Sequence, residues 1–262
     1  MQPIPIRTEL NFRDLGGIET NNQKVIKFHQ FYRGGALCDF DEDEINYFKT
    51  LNIKHIIDYR SEQECVQFSD PTFENIHYHN WNAMEDHKGR SIDLSTSGII
   101  QLHDSLQEEG KENTFMLDLY SRLPFSMAYQ NSFKLILQKE TPIYFHCAAG
   151  KDRTGVMAML LICLLGGSKE DALKDYEYSN VQRELLIKDF IEEYSEHVGH
   201  IITREDDAMT FVGVQRKYGE LVFEVIDKQF GNIDNYFREF LNISDEERKS
   251  LQEIYTEDIV GK

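Results

Sequence analysis

Basic residues are scarce in this chain of 262 residues: 28 Lys and Arg stand against 46 Asp and Glu, for a formal net charge of −18. That balance excludes nucleic acid and anionic membrane as surface partners, because the overall field repels polyphosphate. If the chain handles an anion, a local basic pocket must overcome that field. Cysteine is also sparse. The four at 38, 65, 147 and 163 are too irregularly spaced for a disulfide framework or a zinc site. With five prolines and no Pro-, Gly- or Ser-rich stretch, there is no linker to divide the chain, so a single domain over 1–262 is expected. No segment reaches the ~18 apolar residues of a membrane span. The opening MQPIPIRTEL lacks a cationic segment followed by an apolar run, so no signal peptide is read. The chain therefore reads as cytoplasmic, with no transmembrane segment.

What the chain does contain centres on 143–155, IYFHCAAGKDRTG. Ile143, Tyr144 and Phe145 follow Pro142 and predict a short buried strand. The run TGVMAMLLICLL (154–165) is apolar on nearly every face and predicts a buried helix. A loop between strand and helix turns successive backbone N–H groups inward, toward the positive end of the helix dipole. Such a cradle holds a tetrahedral oxyanion. Here it has the Cys147 thiol at its floor and the Arg153 guanidinium at its rim.

Each residue type has a chemical reason to be there. Sulfur is nucleophilic as thiolate, which a helix N-terminus and nearby cations favour. Arg153 offers a planar fork that matches two phosphoryl oxygens, which lysine cannot do. Ala148, Ala149 and Gly150 contribute backbone donors, and Gly150 permits a positive φ or a close approach. Thr154 can donate its hydroxyl to the sulfur, and His146 orients the loop through its ring nitrogens. The chemistry suggested is attack of sulfur on phosphorus, giving a phosphocysteine that water hydrolyses. No metal and no cofactor is expected, because Arg153 and the loop amides supply the charge stabilisation. His197, His200 and the Glu192–Glu193 pair lack the second ligand cluster that a metal site needs.

The other elements follow from periodicity. Residues 10–17 read as a loop, and 24–32 as a strand pair ended by Gly34 and Gly35. Residues 41–51 predict a capped amphipathic helix, 53–58 a strand, 73–81 another strand and 127–138 a helix. Helices are also predicted over 168–178, 183–197, 216–230 and 245–255. Asp58, at a strand end, is expected to pair with Lys151 and fix the loop lysine. Arg60 is expected to bond the 61–64 turn. Arg13 divides between adding charge to the pocket and pairing with Asp14, Asp39 or other acids. Cys163 reads as core. Cys38 and Cys65 read the same way, with a protective disulfide to Cys147 as the alternative.

HCAAGKDRTG resembles the phosphate-binding loop of the bacterial tyrosine phosphatases that also accept phosphoserine and phosphoinositides. LNFRDLGG (10–17), YRGGAL (32–37) and IIDYRSEQE (56–64) are similar to the family's N-terminal motifs, and 164–180 and 230–247 to its C-terminal helices. The resemblance implies a Cys-dependent tyrosine-phosphatase-like α/β fold: a mostly parallel central sheet flanked by helices, with a helical lid insertion at about 84–127. It also implies a phosphorylated protein or phosphoinositide as substrate. Better-known tyrosine phosphatases carry their general acid in a Trp-Pro-Asp loop, but Trp81 is followed by Asn82 and Ala83. The proton donor is then Asp152 within the cradle, preferred, or Asp86 or Glu85. A carboxyl group beside a phosphoryl dianion holds its proton more tightly, which suits donation to a leaving oxygen. Two alternative readings remain: a rhodanese-like sulfurtransferase, whose loop is not expected to end in Arg-Thr-Gly, and a module that only binds phosphorylated ligands, which usually lacks the Cys or the Arg.

Overall fold

The computed structural model describes residues 4–21, 23–84, 112–197, 209 and 212–259, without the side chains of 112–115 and 193–197. In order the elements are β1 (Arg13–Asp14), β2 (Glu19–Thr20), β3 (Lys24–Ile26), β4 (Phe31–Gly34), α1 (Glu42–Thr50), β5 (His55–Asp58), α2 (Glu62–Gln67) and β6 (His77–Asn80). Then come α3 (Glu112–Arg122), α4 (Met127–Ile136), β7 (Ile143–His146), α5 (Asp152–Leu164), α6 (Lys169–Gln182), α7 (Glu184–His197), α8 (Arg216–Phe230), α9 (Ile233–Glu239), α10 (Asp245–Tyr255) and β8 (Thr256–Asp258).

The central sheet has the order β1-β4-β7-β5-β6, with every pair parallel except β1 with β4. Strands β4, β5 and β7 are buried along their whole length, as strands covered on both faces must be. Their register aligns Gly34, His146, Asp58 and Asn80 at the carboxyl ends. In an open parallel sheet that edge is where a ligand crevice forms.

Each face of the sheet has its own core. One contains Phe12, Tyr32, Phe48, Ile56 and Tyr144. Helix α1 closes it, begun by a capping box in which Asp41 and Glu44 satisfy each other's backbone N–H groups. The other core is built around α5, all 13 of whose residues are buried. Gly166, at φ 99°, ends that helix, and the Gly167 amide returns to the Ile162 carbonyl at 2.9 Å. Helix α6 starts with the expected Ser168–Asp171 capping box but runs four residues beyond Tyr178, to Gln182.

Three expectations need correction. Residues 24–32 do not form a strand pair: β3 lies between β2 and β8 in a separate three-stranded antiparallel sheet, and β4 enters the central one. Alternation alone could not reveal that β3's partner is β8, more than 200 residues away. The 10–17 loop also contains β1, paired with β4. The strand expected over 73–81 shortens to His77–Asn80. Of the helical insertion at about 84–127, residues 85–111 lie outside the described residues. Its last part, α3, packs against α8, and Met116, Leu119 and Tyr120 enter the larger core.

Candidate active site

Residues 147–151 connect β7 to α5 at the carboxyl edge of the sheet. Donors outside the loop tie its carbonyls back. Tyr59 N–H donates to the His146 carbonyl and Ala36 N–H to that of Ala148, both at 2.9 Å. The Gly150 carbonyl accepts from Asn11 Nδ2 and Arg33 Nη2, each at 2.8 Å. With the carbonyls drawn outward, the amides of Ala148, Ala149, Gly150, Asp152, Arg153 and Thr154 donate to no group among the described residues. Unpaired amides beside a helix N-terminus make an anion cradle. Gly150 (φ 67°) could not be another residue, because a Cβ there would lie 2.3 Å from the Gly34 carbonyl carbon and oxygen.

Cys147 is buried at the base of this loop, and the His146 Nδ1 lies 3.2 Å from the Cys147 carbonyl oxygen. Glu64 holds Arg153 by both terminal nitrogens, each at 2.8 Å. Burial alone would lower the Arg153 value and raise that of Glu64, but their mutual attraction and hydrogen bonds reverse both shifts. The pair is thus fully charged. Arg153 Nε and Thr154 Oγ1 are buried with no hydrogen-bond partner among the described residues. Buried donors are rarely left unmade, and here they gather where a tetraoxyanion would accept from them. The expected bond from Thr154 to the sulfur is absent.

Asp152, the first residue of α5, receives the Tyr120 hydroxyl on Oδ1 at 2.5 Å and faces Lys151 Nζ at 2.9 Å. Burial, followed by the Asp152 charge, pushes Tyr120 well above the usual phenol range, so it stays a donor. Tyr176 then donates to the Tyr120 oxygen at 2.8 Å. Asp86 and Glu85 lie outside the described residues.

Asp58 does not pair with Lys151. Its carboxylate is completely buried and taken by Arg60, whose Nε lies 3.0 Å from both oxygens, while the Tyr78 hydroxyl donates at 2.5 Å. Arg60 does not bond the 61–64 turn. It spans Asp58, Asp70 and the Phe68 carbonyl. Asp58, Asp70 and His146 offer ligand atoms within 4.8 Å of one another, but Arg60 already neutralises them. Burial would raise the Asp58 carboxyl, yet the His146 and Arg60 charges and the bonds from Arg60 and Tyr78 hold it well below the usual range. A depressed folded value means stability present above the unfolded value and lost as pH falls through the folded one. Asp58→Asn is therefore expected to cost about 3–5 kcal/mol at neutral pH, by leaving a buried guanidinium short of charge. Urea unfolding checks it, and wild type should weaken as pH drops below about 4.

Cys38 and Cys65 flank this cluster, and both are free. Burial pushes them to about 11 and about 12, so they remain thiols at neutral pH. Arg13 pairs not with Asp14 or Asp39 but with Asp175, at 2.8 Å; it also donates to Asn11 Oδ1 at 2.5 Å. Asp175 takes Arg33 as well, at 2.5 Å. Burial and the neighbouring Arg13 pull Arg33 to about 10, so it stays charged. Asp175, Arg13, Arg33 and Asn11 thus form a buried brace behind the Gly150 carbonyl. Asp175, Asn11, Tyr120 and Glu64 were not assigned to the site from sequence. Asn11, Asp175 and Glu64 lie in stretches that resemble the family's motifs (10–17, 164–180 and 56–64), whereas Tyr120 lies in none of them.

A family model described as the tyrosine phosphatase family matches residues 4–257. A protein of Cupriavidus necator bearing the name of a tyrosine-protein phosphatase is 25% identical over 236 residues, covering 89% of this chain and 82% of its own. The triple specificity protein phosphatase PtpB of Mycobacterium tuberculosis is 23% identical over 255 residues, covering 87% of this chain and 90% of its own. The solved structure of TpbA from P. aeruginosa aligns with a TM-score of 0.33 at 14% identity, over 78% of this chain and 90% of that one.

Proposed function

The chain belongs to the tyrosine phosphatase family, and from that premise we propose that it hydrolyses phosphotyrosine in proteins through a phosphocysteine. The observation that carries this reading is the set of donors without partners at the junction of β7 and α5: the buried Arg153 Nε and Thr154 Oγ1, three loop amides and three amides of the first turn of α5. Together they match a phosphoryl group.

Cys147 attacks phosphorus as thiolate, and the P–O bond to the leaving group breaks as the S–P bond forms. Arg153 and the amides of Ala148, Ala149, Gly150 and Asp152 take the equatorial oxygens, whose charge grows in the transition state. Asp152 gives a proton to the leaving oxygen. It later takes one from the water that cleaves the S–P bond and restores the thiolate. Lys151 and Tyr120 position that carboxyl group. His146, Asp58 and Arg13 support the loop from behind. The continuous core from α3 to α10 supports a single domain over 1–262.

Proton donation matters most when the departing oxygen is a poor leaving group. Asp152→Asn should therefore slow phosphoryl transfer to Cys147 about 10²–10³-fold with an alkyl phosphate and far less with an aryl phosphate whose phenol is acidic. Single-turnover rates of leaving-group release check this, because hydrolysis of the phosphocysteine, which the same variant slows, is common to both substrates. Equal losses would move the acid elsewhere. Phosphoinositide and phosphoserine are the next substrates, supported by the Lys151 cation beside the cradle, and relative rates on a phosphotyrosine peptide and a phosphoinositide rank them.

A further inference from the structure

At the edge of the central sheet, away from the cradle, three histidines share one face. The period of two in β6 puts His77 and His79 on the same side, and the register sets His55 of β5 opposite His77. His55 stacks on His77 with ring centres 5.2 Å apart, and on His79 at 5.4 Å. These rings line a surface hollow of about 410 Å³ together with Trp81, Lys134 and Glu140. We propose that His55, His77 and His79 bind a first-row divalent cation of the Zn²⁺ class, at a site separate from the phosphate cradle.

The hydrogen bonds fix the tautomers. Glu140 Oε2 lies 3.2 Å from His55 Nε2. A carboxylate only accepts, so that nitrogen carries the proton and His55 Nδ1 presents a lone pair. His79 Nε2 sits 3.1 Å from that lone pair and so donates to it. A metal-bound histidine whose other nitrogen donates to a carboxylate has the same arrangement. These two nitrogens face each other 3.1 Å apart, slightly closer than adjacent ligands of a tetrahedral ion with Zn–N bonds of about 2.0–2.1 Å, so both rings turn to bring their lone pairs onto one ion. On binding, the His79 proton moves from Nε2 to Nδ1, and the ion takes its place between the rings. His77, the exposed member, swings in as the third nitrogen.

The fixed charges around the hollow are mixed. Lys134 and Lys54 oppose a cation, whereas Glu140 favours it.

The chain's single tryptophan reports on the site, because Trp81 stacks on His79 at 4.8 Å. Co²⁺ is titrated into the full chain carrying Cys147→Ser, which removes the competing catalytic thiol, and tryptophan emission is followed. Saturable quenching in the micromolar range at neutral pH, reversed by Zn²⁺, is expected. It should vanish at about pH 5, where the imidazoles protonate. His79→Gln and His77→Ala should each weaken binding at least tenfold, and Glu140→Gln about tenfold. His77 is exposed, so His77→Ala should fold and, in the Cys147 background, retain phosphate release. Quenching that never saturates, or a midpoint unchanged in both His77→Ala and His79→Gln, would overturn the assignment.

Discussion

Cys147→Ser should lower phosphate release by about 10⁴–10⁶-fold while leaving substrate binding near its wild-type strength. The size follows from what is exchanged. Loss of a nucleophile that acts as a unit with its cradle costs on the order of 10⁶ in the best-studied hydrolases. A serine hydroxyl fits the same buried space, but it is a far weaker nucleophile than a thiolate. Binding should persist because the donors that hold phosphate are not on Cys147. They are Arg153 and the amides, fixed by the outward-tied carbonyls of His146, Ala148 and Gly150. Malachite-green release assays measure the first quantity, and calorimetry with a phosphotyrosine peptide the second. Retained binding also shows that the variant has folded.

The second large effect is that of Arg153→Lys, expected to reduce turnover about 10²–10³-fold, as for loss of a donor aimed at developing charge. Lysine keeps the positive charge, so a merely electrostatic role would leave most of the activity. Geometry argues otherwise. Glu64 already occupies both terminal nitrogens of Arg153, which fixes the plane of the guanidinium. The Nε–H, buried and unpartnered, is left for a phosphoryl oxygen. An ammonium can satisfy Glu64 or the phosphate, but not both along that plane. Glu64→Gln should lose less, because the fork keeps one acceptor. A lysine variant within tenfold of wild type would show that charge alone suffices.

Much of this arrangement was legible in the sequence, and the part that was not has a physical explanation. The β7–loop–α5 unit is local in sequence: apolar strand, Cys147, Gly150, Arg153 and buried helix follow one another without interruption. Local propensity and loop chemistry therefore specify it. Which of several complementary partners a charged group takes was not legible. Asp58 and Lys151 looked complementary, yet Arg60 lies two residues from Asp58 and reaches it first, with a better-matched fork. Arg13 had acids beside it at 14 and 39, but its partner Asp175 comes from α6, more than 160 residues on. Nothing in the sequence around Asp175 marks it as the brace of the Gly150 carbonyl. The same holds for β3, whose partner is the last strand of the chain.

Everything in this account depends on a covalent bond between Cys147 and the transferred phosphoryl group. Acid quench of the Asp152→Asn enzyme within its first turnover on an aryl phosphate, followed by peptide mass spectrometry, tests it directly. With the base for hydrolysis removed, the intermediate should accumulate as one phosphoryl group on the peptide that carries Cys147. Phosphate release in the first turnover with that peptide unmodified, or a phosphoryl group found on another residue, would contradict it.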